Sequence, residues 1–309
     1  MTAELRIGLV GGGRLAELGY VPAALAATGV RLVALVEPDA ERRARVADLA
    51  GGLAAHPDLG SLLAAGAPDA LVLATPADRH LPDARAAAAS GVPVLVEKPP
   101  APDQWTAAEL GGLTPAPRVA FNRRFDPGLR ALRAALNPGE DVRLSLTLHY
   151  RRKGWGAYTV ADDARLDLGP HLIDLARWLT LDEVESVAEA ALTPERAEFR
   201  LRLTNGEAHL RCATDQPHRE HFEARTPGGR LIRRVRHGGL VAAVAGRLRP
   251  GPNPLVGSLT AQLEAFARAV RGEPETDLGT AEDGVAAMRT VTAVRAWATA
   301  AGAARRPSR

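Results

Sequence analysis

Leu5-Arg6-Ile7-Gly8-Leu9-Val10-Gly11-Gly12-Gly13-Arg14-Leu15-Ala16 decides how the rest of the chain is read. Leu5 to Val10 is a short apolar run, expected to be a strand. Gly11, Gly13 and Ala16 then fall in the spacing G-x-G-x-x-A, and a helical pattern continues to about Ala27. Strand, glycine turn and helix in that order make a phosphate cradle. Gly11 allows the tight turn, Gly13 lets the backbone approach a pyrophosphate, and Ala16 is small enough for the helix to pack close to a sheet. The helix N-terminus favours the negative charge. Arg14 and Leu15, inside the motif, join the glycines as candidate cofactor contacts.

Working outward, Arg31 to Glu37 is a second apolar strand ending in an acid, about 20 residues past the motif, where the dinucleotide fingerprint expects one. Glu37 in that place accepts hydrogen bonds from adenine-ribose hydroxyls and repels a 2′-phosphate, which favours NAD. Arg42 and Arg43 are close enough in sequence to meet a phosphate, so NADP stays open. An acid before Pro38 also suits a plain turn. The alternation goes on: helices over Glu41 to Ala50 and Ser61 to Ala65, a strand over Asp69 to Ala74, and an Ala-rich helix from His80 to Ser90. Such alternation with short loops predicts a doubly wound parallel sheet, a Rossmann domain. Thr75 and Pro76 stand at a strand end beside the cofactor. His80, which opens the next helix, is grouped with them.

Val94-Leu95-Val96-Glu97-Lys98-Pro99-Pro100 is the next strand, ending in an acid, a base and two prolines. A lysine at the C-terminal end of a parallel strand lies where open α/β sheets bind ligands. It also suits an ordinary surface cap. Glu97 and Lys98 are therefore candidate cofactor contacts, and Lys98 a candidate catalyst.

Composition narrows the classes. The chain has 309 residues, 46% of them hydrophobic and 24% charged, enough for one large or two ordinary domains. The sequence pI near 9.5 raises nucleic acid as a partner, but the net charge is only +3 and the arginines are spread among acids. No nucleic-acid partner is expected. One cysteine, Cys212, excludes an intrachain disulfide and a multi-Cys metal site. No apolar run is long enough for a membrane span and no signal peptide precedes the first strand, so a cytoplasmic location is expected.

Pro115-Ala116-Pro117 reads as a linker, dividing the chain into a dinucleotide domain over 1–120 and a second domain over 121–309. Val142, Leu144, Leu146, Leu148 and Tyr150 alternate on one face of a half-buried strand. Thr204-Asn205-Gly206 between two alternating runs is a hairpin signal, and Pro227-Gly228-Gly229 marks another turn. The second domain is thus α+β with a mainly antiparallel sheet, closed by helices over Leu255 to Val270 and Ala281 to Ala301. Trp155 and Tyr158, aromatics in a glycine-rich loop, are candidates to stack on a sugar ring. His218-x-x-His221 lacks further ligands, so no metal is expected.

Asp167-Leu168-Gly169-Pro170-His171-Leu172-Ile173-Asp174 carries the second candidate constellation. Asp167 and His171, four apart, project from one side of a helix start, and Pro170 is tolerated there because it falls in the first turn. Asp174, three further on, is placed to fix the imidazole's orientation. An acid–histidine pair is equally a common structural hydrogen bond.

Taken together, G-x-G-x-x-A, the strand-end acid, Ala74-Thr75-Pro76 with His80, Val96-Glu97-Lys98-Pro99, Asn122-Arg123-Arg124-Phe125 and Asp167 to Asp174 resemble the Gfo/Idh/MocA family of oxidoreductases. The resemblance implies that Lys98 lies near the nicotinamide and the substrate hydroxyl, and that Pro99 follows a cis bond. It implies that Asp167 and His171 contact substrate hydroxyls, His171 moving the proton. Asn122 to Phe125 reads first as a strand leading to a helix at Pro127, with Arg124 a candidate to line the cleft. The resemblance further implies hydride transfer to or from a sugar or polyol, and a homodimer or homotetramer joined through the C-terminal sheet. Asp162-Asp163-Ala164-Arg165 departs from the family, which often has a glycine pair there. These acids are expected to narrow the pocket or disfavour anionic substrates. A non-catalytic dinucleotide-binding regulator, or a redox-assisted glycosidase recycling its NAD, are the alternatives the fold allows.

Overall fold

The computed structural model describes residues 4–152, 162–237 and 253–304. It divides into two compact units. The first comprises residues 1–126 and 252–285; the second comprises 127–251 and 286–309.

In the first unit β1 (Leu5–Val10), β2 (Val30–Val36), β3 (Ala54–His56), β4 (Ala70–Leu73), β5 (Val94–Glu97) and β6 (Arg118–Ala120) form one sheet, all neighbours parallel, in the order β3-β2-β1-β4-β5-β6. Strands β4 and β5 are buried along their whole length, as continuous apolar runs between two helix layers must be. The order reverses direction between β1 and β4, the switch point outside whose strand ends such sheets bind ligands.

A π-helical turn, Ala16–Tyr20, follows the glycines and runs into α1 (Val21–Ala26). A regular helix was the expectation. Pro22 has no N–H to give to the carbonyl four residues back, so the ladder widens just before it. Then come α2 (Ala40–Leu49), α3 (Leu59–Gly66), α4 (Ala77–Ala89) and α5 (Gln104–Gly111). Asp39, Asp58 and Asp103 cap three of these, each carboxylate accepting the N–H three residues on at 2.8 Å.

In the second unit α6 (Pro127–Ala134) and α7 (Ala164–Thr180) accompany β7 (Val142–Arg151), β8 (Val184–Leu192), β9 (Arg196–Leu203), β10 (Gly206–Ala213), β11 (Asp215–Arg225) and β12 (Leu231–His237). The sheet order is β12-β11-β7-β10-β9-β8, antiparallel except for the β7–β10 pair. The alternation of β7 and β9 buries Val142, Leu144, Leu146, Leu148, Ala197, Phe199, Leu201 and Leu203 on the side where α7 packs. The expected hairpin joins β9 to β10. Gly206 holds φ +112°, and a Cβ there would lie 2.2 Å from the Val142 carbonyl oxygen, so only glycine fits.

The final helices are α8 (Pro254–Val270) and α9 (Ala281–Ala304). No helix among the described residues is long and apolar enough to cross a membrane.

Two expectations about organisation need correction. Pro115 to Pro117 is not a linker, because it precedes β6, whose Val119 and Ala120 are buried against β5; the chain leaves the first unit only after Asp126. Nor do residues 121–309 form one domain. Helix α8 returns to the first unit and places Leu259, Leu263 and Phe266 in the same core as Tyr20, Val21 and Leu35. Each of those side chains, fully buried, contributes about 1.5–3 kcal/mol of transfer free energy. Residues 277–279 stay there too, with Val119 N–H donating to the Gly279 carbonyl at 2.9 Å.

Candidate active site

The first unit gathers most of the predicted cofactor residues at the C-terminal ends of its strands. Gly11 holds φ +103°, and a Cβ on it would sit 2.6 Å from the Ala74 carbonyl oxygen, so the turn lies directly against the end of β4. Above Gly13 the space is open: an added Cβ would meet nothing within 4 Å. Arg14 and Leu15 occupy the first helical residues beyond it. The Gly12 N–H donates to Glu37 Oε2 at 2.8 Å, and the Asp39 N–H to Oε1 at 3.0 Å. Glu37 is thus fixed beside the glycine turn by backbone donors. The two arginines differ in use. Arg43 gives its guanidinium to the Glu37 and Pro38 carbonyls at 2.7 and 3.1 Å, bracing the turn. Arg42, partly exposed, stands 3.5 Å from Glu37 Oε1. An open space over Gly13, donors at a helix start and an oriented acid fit a dinucleotide.

Thr75 and Pro76 follow β4. The Thr75 hydroxyl donates to Asp83 Oδ2 at 3.3 Å, and Pro76 is the residue preceding α4. His80 lies in the first turn of α4 and is buried, 1% exposed. Its Nε2 is 2.8 Å from the Thr75 carbonyl oxygen; its Nδ1 is 3.1 and 3.2 Å from those of Pro99 and Pro100. The ring lies between the segments after β4 and β5, and in its neutral form donates its one N–H to a carbonyl on one side only. Burial lowers its pKa, against the pull of those carbonyls.

Lys98 directly follows β5, and the Lys98–Pro99 bond is cis. Beneath it Glu97 is buried. Tyr20 donates its hydroxyl to Glu97 Oε1 at 2.6 Å, and the Lys98 N–H donates to Oε2 at 2.9 Å. Burial raises the Glu97 pKa, opposed by the Lys98 ammonium, the Tyr20 hydroxyl and the Lys98 N–H. Sequence reading missed Tyr20. Its one signal was a hydroxyl on an otherwise apolar helix face. Arg124 is also inside this unit, 4% exposed, its guanidinium 2.9 Å from Asp283 and over the Phe121 ring.

In the second unit, α7 carries the other constellation. It begins a turn earlier than expected. Asp163 is its N-cap, accepting the Leu166 N–H at 2.8 Å, and its other oxygen takes Arg165 at 3.1 Å. The departure at Asp162-Asp163 is thereby explained as a helix start. Pro170 consequently sits in the helix interior, not its first turn. Asp167, His171 and Asp174 share one side of α7 and are all buried. Asp167 Oδ2 accepts a short hydrogen bond from the Tyr150 hydroxyl and a second bond from Arg152 at 2.9 Å. Arg152 also donates to Tyr150 at 3.3 Å and to the Asp162 carbonyl at 2.6 Å. Burial, then the Asp167 charge, raise the Tyr150 pKa. Tyr150 was placed on this face by the strand alternation; Arg152 had no sequence signal.

Trp155 and Tyr158 lie outside the described residues. His218 and His221, three apart on β11, point to opposite faces and approach Glu220 and Glu223 at 3.7 and 3.5 Å. No group of three or more His, Cys, Asp or Glu side chains among the described residues is placed to hold a metal.

Residues 5–113 match the family described as oxidoreductase family, NAD-binding Rossmann fold (GFO_IDH_MocA). Inositol 2-dehydrogenase 4 of Saccharopolyspora erythraea is 34% identical over 192 residues, 60% of this chain and 56% of that protein. The chain thus spans a little over half the length of that relative. The rhizopine catabolism protein MocA of Rhizobium meliloti is 29% identical over 312 residues, 92% of each chain. Among solved structures, scyllo-inositol dehydrogenase from Lactobacillus casei with bound NAD(H) and scyllo-inositol superposes with a TM-score of 0.79 at 18% identity, covering 96% of this chain and 98% of that one. A UDP-N-acetylglucosamine 3-dehydrogenase from Acidithiobacillus ferrooxidans gives 0.73 at 23% identity, covering 97% and 99%. The segment that carries the glycine turn, the strand-end acid and the Glu97-Lys98-Pro99 strand end, residues 5–113, thus matches the NAD-binding Rossmann domain of the Gfo/Idh/MocA oxidoreductase family.

Proposed function

We propose that this protein is an NAD(P)-dependent dehydrogenase or reductase acting on a CH–OH carbon of a sugar, polyol or related small molecule. The observation that carries the reading is Lys98, held at the end of β5 in the sheet whose switch point carries the glycine turn and Glu37. A nicotinamide cofactor, when bound, supplies the hydride acceptor or donor. Gly11, Gly13, Arg14, Leu15 and Glu37 would hold its adenosine and pyrophosphate; Thr75, Pro76 and Glu97-Lys98 lie toward its other end. His171 takes the hydroxyl proton in oxidation and returns it in reduction. The Lys98 charge stabilises alkoxide character on a substrate oxygen. Asp167, kept in place by Tyr150 and Arg152, accepts a hydrogen bond from a substrate hydroxyl. Several relatives are inositol dehydrogenases, which supports a cyclic polyol as the first substrate to try.

The departure at Asp162-Asp163 needs no non-catalytic role to explain it, since capping of α7 accounts for Asp163. We place self-association, as dimer or tetramer, on the charged sheet face opposite α7, which includes Arg196, Glu198, Arg200 and Arg202, and the protein in the cytoplasm. The test is a fluorescence titration with NADH and, separately, NADPH, followed by turnover of inositols and sugars with the tighter cofactor. NADH is expected to bind more tightly. Glu37→Ala should narrow or reverse that preference by about tenfold, because Arg42 then faces the 2′-phosphate without its neutralising acid. Binding of neither cofactor by the folded protein would sink the reading.

A further inference from the structure

We infer that Tyr20 and Glu97 are positioning residues for Lys98, locking the lysine's strand end to the π-helical turn that follows the glycine motif. The inference rests on the dehydrogenase reading for its functional meaning, but its geometry lies within one unit. Tyr20 is 2% and Glu97 6% exposed. The carboxylate has one oxygen on the Tyr20 hydroxyl at 2.6 Å and the other on the Lys98 N–H at 2.9 Å. A single side chain thus links residues 77 positions apart, one on the helix behind the phosphate cradle and one beside the candidate catalyst.

Three further observations point the same way. An acid this deeply buried carries a large desolvation cost, so it persists where each oxygen has a donor. Both donors here are present, and the Lys98 ammonium acts on Glu97 as the nearby opposite charge. Second, Tyr20 ends a π-helical turn rather than a regular one. Removing one residue from the wide turn would rotate the helix beyond the deletion by about 100° and carry the hydroxyl away from Glu97. Third, the segment beyond Lys98 packs on buried His80, whose Nδ1 faces the Pro99 and Pro100 carbonyls at 3.1 and 3.2 Å and donates to them in the Nδ1–H tautomer. Lys98 is therefore flanked on both sides by buried polar side chains, at the strand-end crevice of the sheet. Neither Tyr20 nor Glu97 has to touch substrate for this to matter. A misplacement of about 1 Å at a reacting group costs on the order of a hundredfold in rate.

The chain makes the test direct. Of its 39 basic side chains only Lys98 and Lys153 are lysines. Reductive methylation with a 13C-labelled reagent therefore gives two lysine methyl resonances, assigned by Lys153→Arg and read without substrate or cofactor. In Tyr20→Phe and Glu97→Gln the Lys98 resonance should move from its position in the unsubstituted protein, with the circular dichroism spectrum unchanged. On unmethylated protein, each substitution should lower kcat on the order of tenfold while leaving the NADH Kd within about twofold. If the Lys98 resonance is unmoved in both variants, the inference is overturned. A shift in Glu97→Gln alone would remove Tyr20 from it. Failure of the unsubstituted protein to turn over any polyol would overturn the dehydrogenase reading instead, since the resonance shifts are read independently of turnover.

Discussion

Lys98 shows how much one side chain can say when its surroundings are known. In the sequence it was a base at a strand end, a position that also suits a surface cap. In the structure its N–H is bonded to a buried acid, and the residues after it pack on a buried imidazole. Lys98→Ala is expected to lower kcat by about a hundredfold and to leave NADH affinity nearly intact, read by steady-state rates and fluorescence titration. Retained turnover would take Lys98 out of the chemistry. Gly11 was legible as well, because its φ of +103° against the end of β4 is a backbone demand that few residue types can meet. Tyr20 and Arg152 were not, because a phenol or guanidinium reveals its role only when the fold brings an acid to it.

Among the elements, α7 is the one whose start was misjudged. Asp162-Asp163 was read for its charge near a substrate, yet an aspartate three residues before Leu166 is also an N-cap signal. The helix therefore begins before Asp167, and Pro170 lies within it; the apolar neighbours Leu168, Leu172, Leu175 and Leu179, all buried, hold it in place despite the missing N–H. Asp163→Ala should lower stability by about 1 kcal/mol, seen as a fall in Tm of about 2 °C, and should lower kcat because Asp167 sits in the helix's first turns. A Tm and kcat equal to those of the parent would mean that Arg165 and the following turn hold the helix unaided. Strands were easier to foresee than this boundary. Alternation in β7 and β9 and the glycine turn before β10 determine face and register locally.

For the whole molecule, the parallel order of the first sheet followed from the strand–helix alternation, but the return of α8 did not. An amphipathic helix displays an apolar stripe without naming the surface it will cover, so Leu259, Leu263 and Phe266 gave no hint of Tyr20 or Leu35. The second sheet supplies its own probe of integrity. Cys212 is buried on the core face of β10, and burial, then Asp167 and Asp163, raise its thiol pKa. A disulfide reagent at neutral pH should leave it unmodified in the native protein and react within seconds after denaturant unfolds the second unit. Fast labelling of the native protein would show that this core opens readily.

The division of the first unit between residues 1–126 and 252–285 also sets an order of events at the ribosome. The glycine turn, Glu37 and Lys98 are all translated before Asp126, yet the helix that covers their core is made roughly 130 residues later. At common elongation rates that is a delay on the order of ten seconds. Through that interval the nascent sheet has one helix layer incomplete, with Tyr20 and Val21 lacking the cover of α8. A chaperone that shields apolar surface on emerging chains would find its substrate here, and the dinucleotide cradle matures only after α8 has been made.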